Sequence, residues 1–75
     1  MLGKQAGTLL EVQQIDIHGA LFFDVTFALD SAPQRRSVSR LGVESVYENP
    51  QNGDAVTLHL LMGQVTKIEK RNAAA

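Results

Sequence analysis

Between Leu21 and Asp30 the chain alternates. Leu21, Phe23, Val25, Phe27 and Leu29 are large and apolar, whereas Asp24, Thr26 and Asp30 fall in the intervening row. A period of two held over this length predicts a β-strand with one buried face. All three phenylalanines of the chain lie here, and two of them fall in the apolar row, so this strand is expected at the centre of the core. Upstream, Thr8–Ile17 also reads as extended, but its parity changes: Leu10 and Val12 are even, Ile15 and Ile17 odd. A continuous strand would send the two pairs to opposite faces. A bulge at Gln13-Gln14 would return them to one face and bend the strand. His18-Gly19-Ala20 is a tight connection in which Gly19 can take a positive φ, which predicts a hairpin.

Beyond Asp30, Ser31-Ala32-Pro33 marks a turn, and Gln34–Leu41 alternates weakly. Arg36, Val38 and Arg40 form one row; Arg35, Ser37, Ser39 and Leu41 form the other. Charged on much of both faces, this segment suits an edge strand, where such residues discourage further pairing. Val43, Val46 and Tyr47 follow at i, i+3 and i+4, the spacing of one helical turn. Asn49-Pro50-Gln51-Asn52-Gly53-Asp54 is the strongest turn signal in the chain. In Ala55–Met62 the row Val56, Leu58, Leu60 and Met62 is apolar, and Ala55, Thr57, His59 and Leu61 face the other way. Gly63-Gln64 makes a turn, and Val65–Lys70 reads as a last, half-polar strand. A helix through Leu58–Lys70 is the rival reading, because leucine, methionine, lysine and glutamate favour helices. Gly63 at its middle and the β-branched Val56, Thr57, Val65, Thr66 and Ile68 favour strands.

Five short strands with a helical turn between the third and fourth resemble, in element order alone, an OB-type barrel and less closely an SH3-like barrel. The expected fold is therefore mainly β: a small five-stranded barrel or strongly curled antiparallel sheet with one short helical turn. Closing or nearly closing a sheet removes exposed edges. That matters in a chain of 75 residues, which allows one small domain and a marginal core. The domain is expected over residues 1–72, with Ala73-Ala74-Ala75 as a disordered tail or appended remnant. At 44% hydrophobic and 20% charged, the composition is that of a globular domain. The chain has no cysteine, which excludes disulfides, thiolate metal sites and cysteine nucleophiles. No apolar stretch approaches the roughly 18 residues of a membrane span, and Met1–Gln5 has no apolar leader character. A cytoplasmic protein without a membrane partner is the expectation.

Catalytic and metal-binding chemistry finds little to build on. His18 falls at a hairpin tip and His59 in mid-strand, without the short ligand spacing of structural metal sites, so a solvated turn and a half-exposed strand position account for them. The serines lack a Gly-x-Ser-x-Gly turn. Asp24 and Asp30 lie on one strand about 20 Å apart at roughly 3.3 Å per residue, too far to work as an acid–base pair. A barrel this small is also expected to have little room for a pocket of the roughly 300 Å3 that small ligands occupy. Gly3 and Gly7 lack the following Lys-Ser/Thr of a phosphate loop and read as a flexible N-terminal arm. No catalytic residue, cofactor or metal is expected.

The basic residues carry more. Arg35, Arg36 and Arg40 cluster, as do Lys67, Lys70 and Arg71, while acids are spread along a chain whose net charge is −1. With the third and fifth strands adjacent, one face would be locally positive. Single-stranded nucleic-acid binding would pair such a groove with aromatic platforms, for which only Phe22 and Tyr47 lie outside the predicted inner row. The plainer account is an edge strand and a terminal strand kept soluble by charge. Phe22 and Leu61 lie opposite the main apolar rows, which points to a covered exterior or a subunit interface. Interface burial, at about 25 cal/mol per Å2, would offset the small core. The chain is thus expected to be a non-enzymatic binding or assembly module that forms a homo-oligomer. A protein partner would meet Arg35, Arg36, Arg40, Phe22, Tyr47, Lys67 and Lys70. The alternative is a weak single-stranded nucleic-acid binder using the same basic residues.

Overall fold

The structure, a computed structural model, describes residues 2–71. Five strands form one antiparallel sheet: β1 (Leu2–Ile17), β2 (Ala20–Leu29), β3 (Ser37–Gly42), β4 (Ala55–Leu61) and β5 (Gln64–Lys70), with a 3-10 turn at Val43–Ser45 between β3 and β4. Their order is β3-β2-β1-β4-β5. The mainly β reading and the helical turn therefore hold, and the helix through Leu58–Lys70 is replaced by β4 and β5. The sheet is open. Its outer strands β3 and β5 approach each other, and the chain just past the 3-10 turn joins them, where Val46 bridges Ile68 in parallel and the Tyr47 N–H donates to the Ile68 carbonyl at 3.3 Å. The expected Ala73–Ala75 tail lies outside the described residues.

Strand β1 is longer than its pattern suggests. The expected arm around Gly3–Gly7 is strand, because β4 needs an antiparallel partner and finds it there, from Leu2↔Leu61 to Thr8↔Ala55. Gly7 is the position of closest approach: a Cβ on it would stand 2.7 Å from the Ala28 carbonyl oxygen and 2.8 Å from Leu58 Cδ1. The bulge exists but sits between Leu9 and Glu11, not at Gln13-Gln14. It brings Leu9, at odd parity, and Val12, at even parity, to the same face and leaves Ile15 on the other. The β1–β4 ladder ends at Thr8, so the backbone at the bulge needs other partners. The Asn49–Asp54 loop supplies them. The Leu9 N–H donates to the Asp54 carbonyl at 2.9 Å, the Gly53 N–H to the Leu9 carbonyl at 2.7 Å, and the Val12 N–H to Asn52 Oδ1 at 2.9 Å.

The core lies inside the curl. Leu9, Val25, Val56, Leu58 and Ile68 are essentially fully buried, and Phe27, Leu41 and Val46 join them. Each fully buried aliphatic side chain contributes on the order of 1.5–3 kcal/mol, and a cavity from Leu58→Ala would cost about 2–5 kcal/mol. The expected inner row of β2 holds at Val25 and Phe27, half-holds at Phe23 and Leu29, and fails at Leu21, which is exposed where the hairpin runs past the core. Met62 also leaves its expected inner row. The turn is Met62-Gly63, not Gly63-Gln64, and both residues have positive φ, at 52° and 82°.

Candidate functional site

Directly opposed residues in an antiparallel pair share a face, so the register sorts the expected partner-binding residues. Ile15, Phe22 and Gly42 form one row across β1, β2 and β3 on the outer face; Gln13, Asp24 and Arg40 form the next. Phe22 is half-buried there, beside Ile15, not a free platform. Arg40 is engaged: its Nε donates to Asp24 Oδ1 at 2.7 Å and its Nη2 to Asp24 Oδ2 at 3.1 Å. This two-point contact holds the Asp24 carboxyl below its usual range and the guanidinium above its own. Arg35 and Arg36 precede β3 in the exposed loop and have no ion-pair partner among the described residues.

On the other half of the outer face, Lys4, His59 and Lys67 form a cross-strand row over β1, β4 and β5. Glu69 answers it, with Oε1 accepting from His59 Nε2 at 2.6 Å and Oε2 lying 3.7 Å from Lys67 Nζ. The hydrogen bond from His59 is the main reason the Glu69 carboxyl lies below its ordinary range, with Lys67 adding to it. Arg71 Nη2 lies 3.6 Å from Asp30 Oδ2, and Lys70 is exposed at the end of β5. The two basic clusters of the sequence thus do not form one positive face: Asp24, Glu69 and Asp30 are interleaved with them. Two of these acids, Asp24 and Asp30, come from a distant segment and so were not legible beside the arginines, whereas Glu69 stands within the second cluster itself.

Tyr47 belongs to the inner side. It packs half-buried against the core, and its hydroxyl donates to Asp54 Oδ2 at 2.5 Å. Burial, reinforced by that carboxylate, pushes the phenol's pKa well up, and the same hydrogen bond holds Asp54 down. Asp54 Oδ2 also accepts from the Gln51 N–H at 3.0 Å, which pins the loop that caps the β1 bulge. Tyr47 is therefore a wall and a loop anchor where an exposed aromatic was expected.

Among the described residues, open depressions reach about 340–360 Å3, more than the size of the chain suggested. One, at the β1–β4 edge, has Lys4, His59 and Thr66 in its wall. Another runs between Tyr47 and the Lys67–Lys70 segment. A third is walled by Leu21, Phe23, Val43, Val46 and Tyr47, with Glu48 as its charged residue. Large exposed apolar side chains gather at the hairpins: Ile17 and Leu21 beside the first turn, Leu61 and Met62 at the second, with Val38 on β3. The apolar depression and the Met62 tip were not legible as sites. The one available signal was an apolar residue directly before Gly63, where a two-residue turn favours asparagine. Among the described residues no three His, Asp or Glu side chains gather as a ligand set, and no helix is long and apolar enough to cross a membrane. Comparison with known protein families, curated proteins and solved structures gives no match to this chain.

Proposed function

We propose that this chain is a non-enzymatic, self-associating binding module built on a partly open barrel of OB type. The strand order, a bulged β1 that pairs with both β2 and β4, and the parallel bridge from Val46 to Ile68 support the barrel reading. The observation that carries the functional reading is the concentration of exposed apolar side chains at the two hairpins, with Met62 79% and Leu61 44% exposed at one and Leu21 42% exposed beside the other. Solvation favours polar residues at such positions, and apolar ones grouped there fit contact with another protein surface. A cytoplasmic setting goes with this reading.

Sedimentation velocity from about 10 to about 500 μM, the range of modest affinities, tests it. A mass rising above the 8.2 kDa of one chain is expected; a single monomeric species at the top concentration overturns the proposal. The nucleic-acid alternative has less support, because Asp24 occupies Arg40 and both candidate aromatics are half-buried. Anisotropy titration with a labelled poly-pyrimidine strand at about 50 and 200 mM salt separates the two readings, since phosphate-driven binding weakens steeply over that range. No saturable binding is expected at either salt.

A further inference from the structure

The β4–β5 turn departs from two local preferences at a single residue. Met62 adopts φ 52°, in the left-handed region where asparagine or glycine is usual in a two-residue hairpin turn. Its flexible apolar side chain is also the most exposed of the large hydrophobic residues whose burial is described, at 79%. Residues that break local rules together without a packing gain mark places where something other than the fold selects the residue. Behind the tip, Lys4 and Lys67 flank His59 in one cross-strand row, where Glu69 accepts from His59 and lies 3.7 Å from Lys67, leaving Lys4 without an ion-pair partner among the described residues. The tip is therefore convex and apolar, with cations set back from its point.

The depression walled by Leu21, Phe23, Val46 and Tyr47 has the complementary character: concave, apolar and bordered by the carboxylate of Glu48. Tip and depression share no residue, and the sheet holds the tip in place, so one chain presents both without filling its own depression. We propose that the Leu61-Met62 tip of one copy docks in this depression on a second copy, with Glu48 facing Lys4. The inference rests on the self-association reading and names its contact. Each chain gives a tip and receives one, so the contact closes reciprocally as a two-fold dimer or repeats into a ring or an open chain. A two-residue prong buries less than a standard interface of about 1,600 Å2, which sets the single contact in the micromolar range or weaker. Methionine suits such a socket because its unbranched thioether adapts to irregular walls and contacts aromatic rings favourably.

The test uses two variants, each altered at exposed or rim positions. Met62→Asp removes the tip, and Leu21→Lys with Glu48→Lys spoils the depression and repels Lys4 behind the tip. Both are checked for retained fold by circular dichroism and then sedimented singly and as an equimolar mixture. Expected is a loss of self-association of at least about tenfold in each variant alone. The mixture should recover a species of two chains, because the intact tip of one variant meets the intact depression of the other. A wild-type chain that associates while both variants associate equally well overturns this contact and leaves the module reading standing. A wild-type monomer at every concentration overturns both. Two monomeric variants that stay monomeric when mixed overturn the tip-to-depression pairing. Pelleting with phosphatidylcholine–phosphatidylserine vesicles that is lost in Met62→Asp alone also overturns it, assigning the tip to a lipid surface.

Discussion

The two hairpin turns have the same backbone and differ in what the backbone leaves free. His18-Gly19 has φ of 53° and 86°, and Met62-Gly63 has 52° and 82°. At the first turn the leading residue is polar, and Asp16 Oδ1 accepts from the Gly19 N–H at 2.8 Å. At the second, the leading residue is methionine, and the position equivalent to Asp16 is Leu60, which offers no side-chain acceptor. Connection length and the second-position glycine set the turn geometry in both. The leading residue is free to vary, so its identity carries information about something beyond the fold. Histidine there is accommodated by a polar tip in solvent, whereas methionine there is accommodated by nothing in its own chain.

Five predictions strain that comparison. The largest effect belongs to Gly7, on the strand both hairpins depend on. Gly7→Ala would force its Cβ against the Ala28 backbone and Leu58, and urea denaturation should show a loss of about 3 kcal/mol. A loss under about 1 kcal/mol would mean that β1 yields easily and does not tie the hairpins together. Next come the turn glycines. Gly19→Ala and Gly63→Ala should each cost about 1–2 kcal/mol from backbone strain alone, since neither added Cβ meets a neighbour within 4 Å. Unequal losses would break the claim that the two backbones are equivalent.

The leading residues and their supports give smaller effects. Asp16→Ala should cost about 1 kcal/mol through the lost hydrogen bond to Gly19. Met62→Asn should gain about 0.5 kcal/mol, because asparagine tolerates the left-handed region better, while self-association falls. Thermal melts at low protein concentration separate the two effects; a Met62→Asn variant less stable than wild type would show that the methionine serves its own fold. The last effect lies on the acid side of the stability curve. Asp54 is held below its ordinary range in the folded chain by the Tyr47 hydroxyl, so its contribution is complete above the unfolded aspartate pKa of about 4. That contribution fades as pH falls through the lower folded value. Tyr47→Phe should therefore lower stability by about 1 kcal/mol at neutral pH and flatten the acid limb, read by denaturation at a series of pH values.

Much of the architecture was legible because one-sided burial writes itself into alternation. Val25, Phe27, Val56 and Leu58 lie in the rows that predicted them, and the i, i+3, i+4 spacing at Val43–Tyr47 marks the 3-10 turn. The errors cluster where an element ends or where two strands must agree. The bulge moved to Leu10 because β1 changes partners there, leaving β4 after Thr8, and a single strand's parity cannot encode where its neighbour stops. Gly3–Gly7 looked like an arm because glycine carries no periodicity, although Gly7 is small for a packing reason that only Ala28 and Leu58 reveal. Leu21 and Met62 satisfied their rows but lie at hairpin ends, beyond the reach of the core.

By itself the sequence determined the number and order of the strands, the first hairpin turn and most of the inner face, because each follows from local chain geometry and the period of apolar residues. The tertiary structure decided which charges meet. Arg40 meets Asp24 across β2 and β3, His59 meets Glu69 across β4 and β5, and Arg71 meets Asp30 from beyond β5, so clusters of one sign in the chain become mixed groups on the surface. It also decided that Tyr47 is a wall whose hydroxyl anchors the loop at Asp54, and that Leu21, Phe23 and Val46 meet it around an apolar depression. Strand register and curl bring distant positions together, and neither is a property of any single segment.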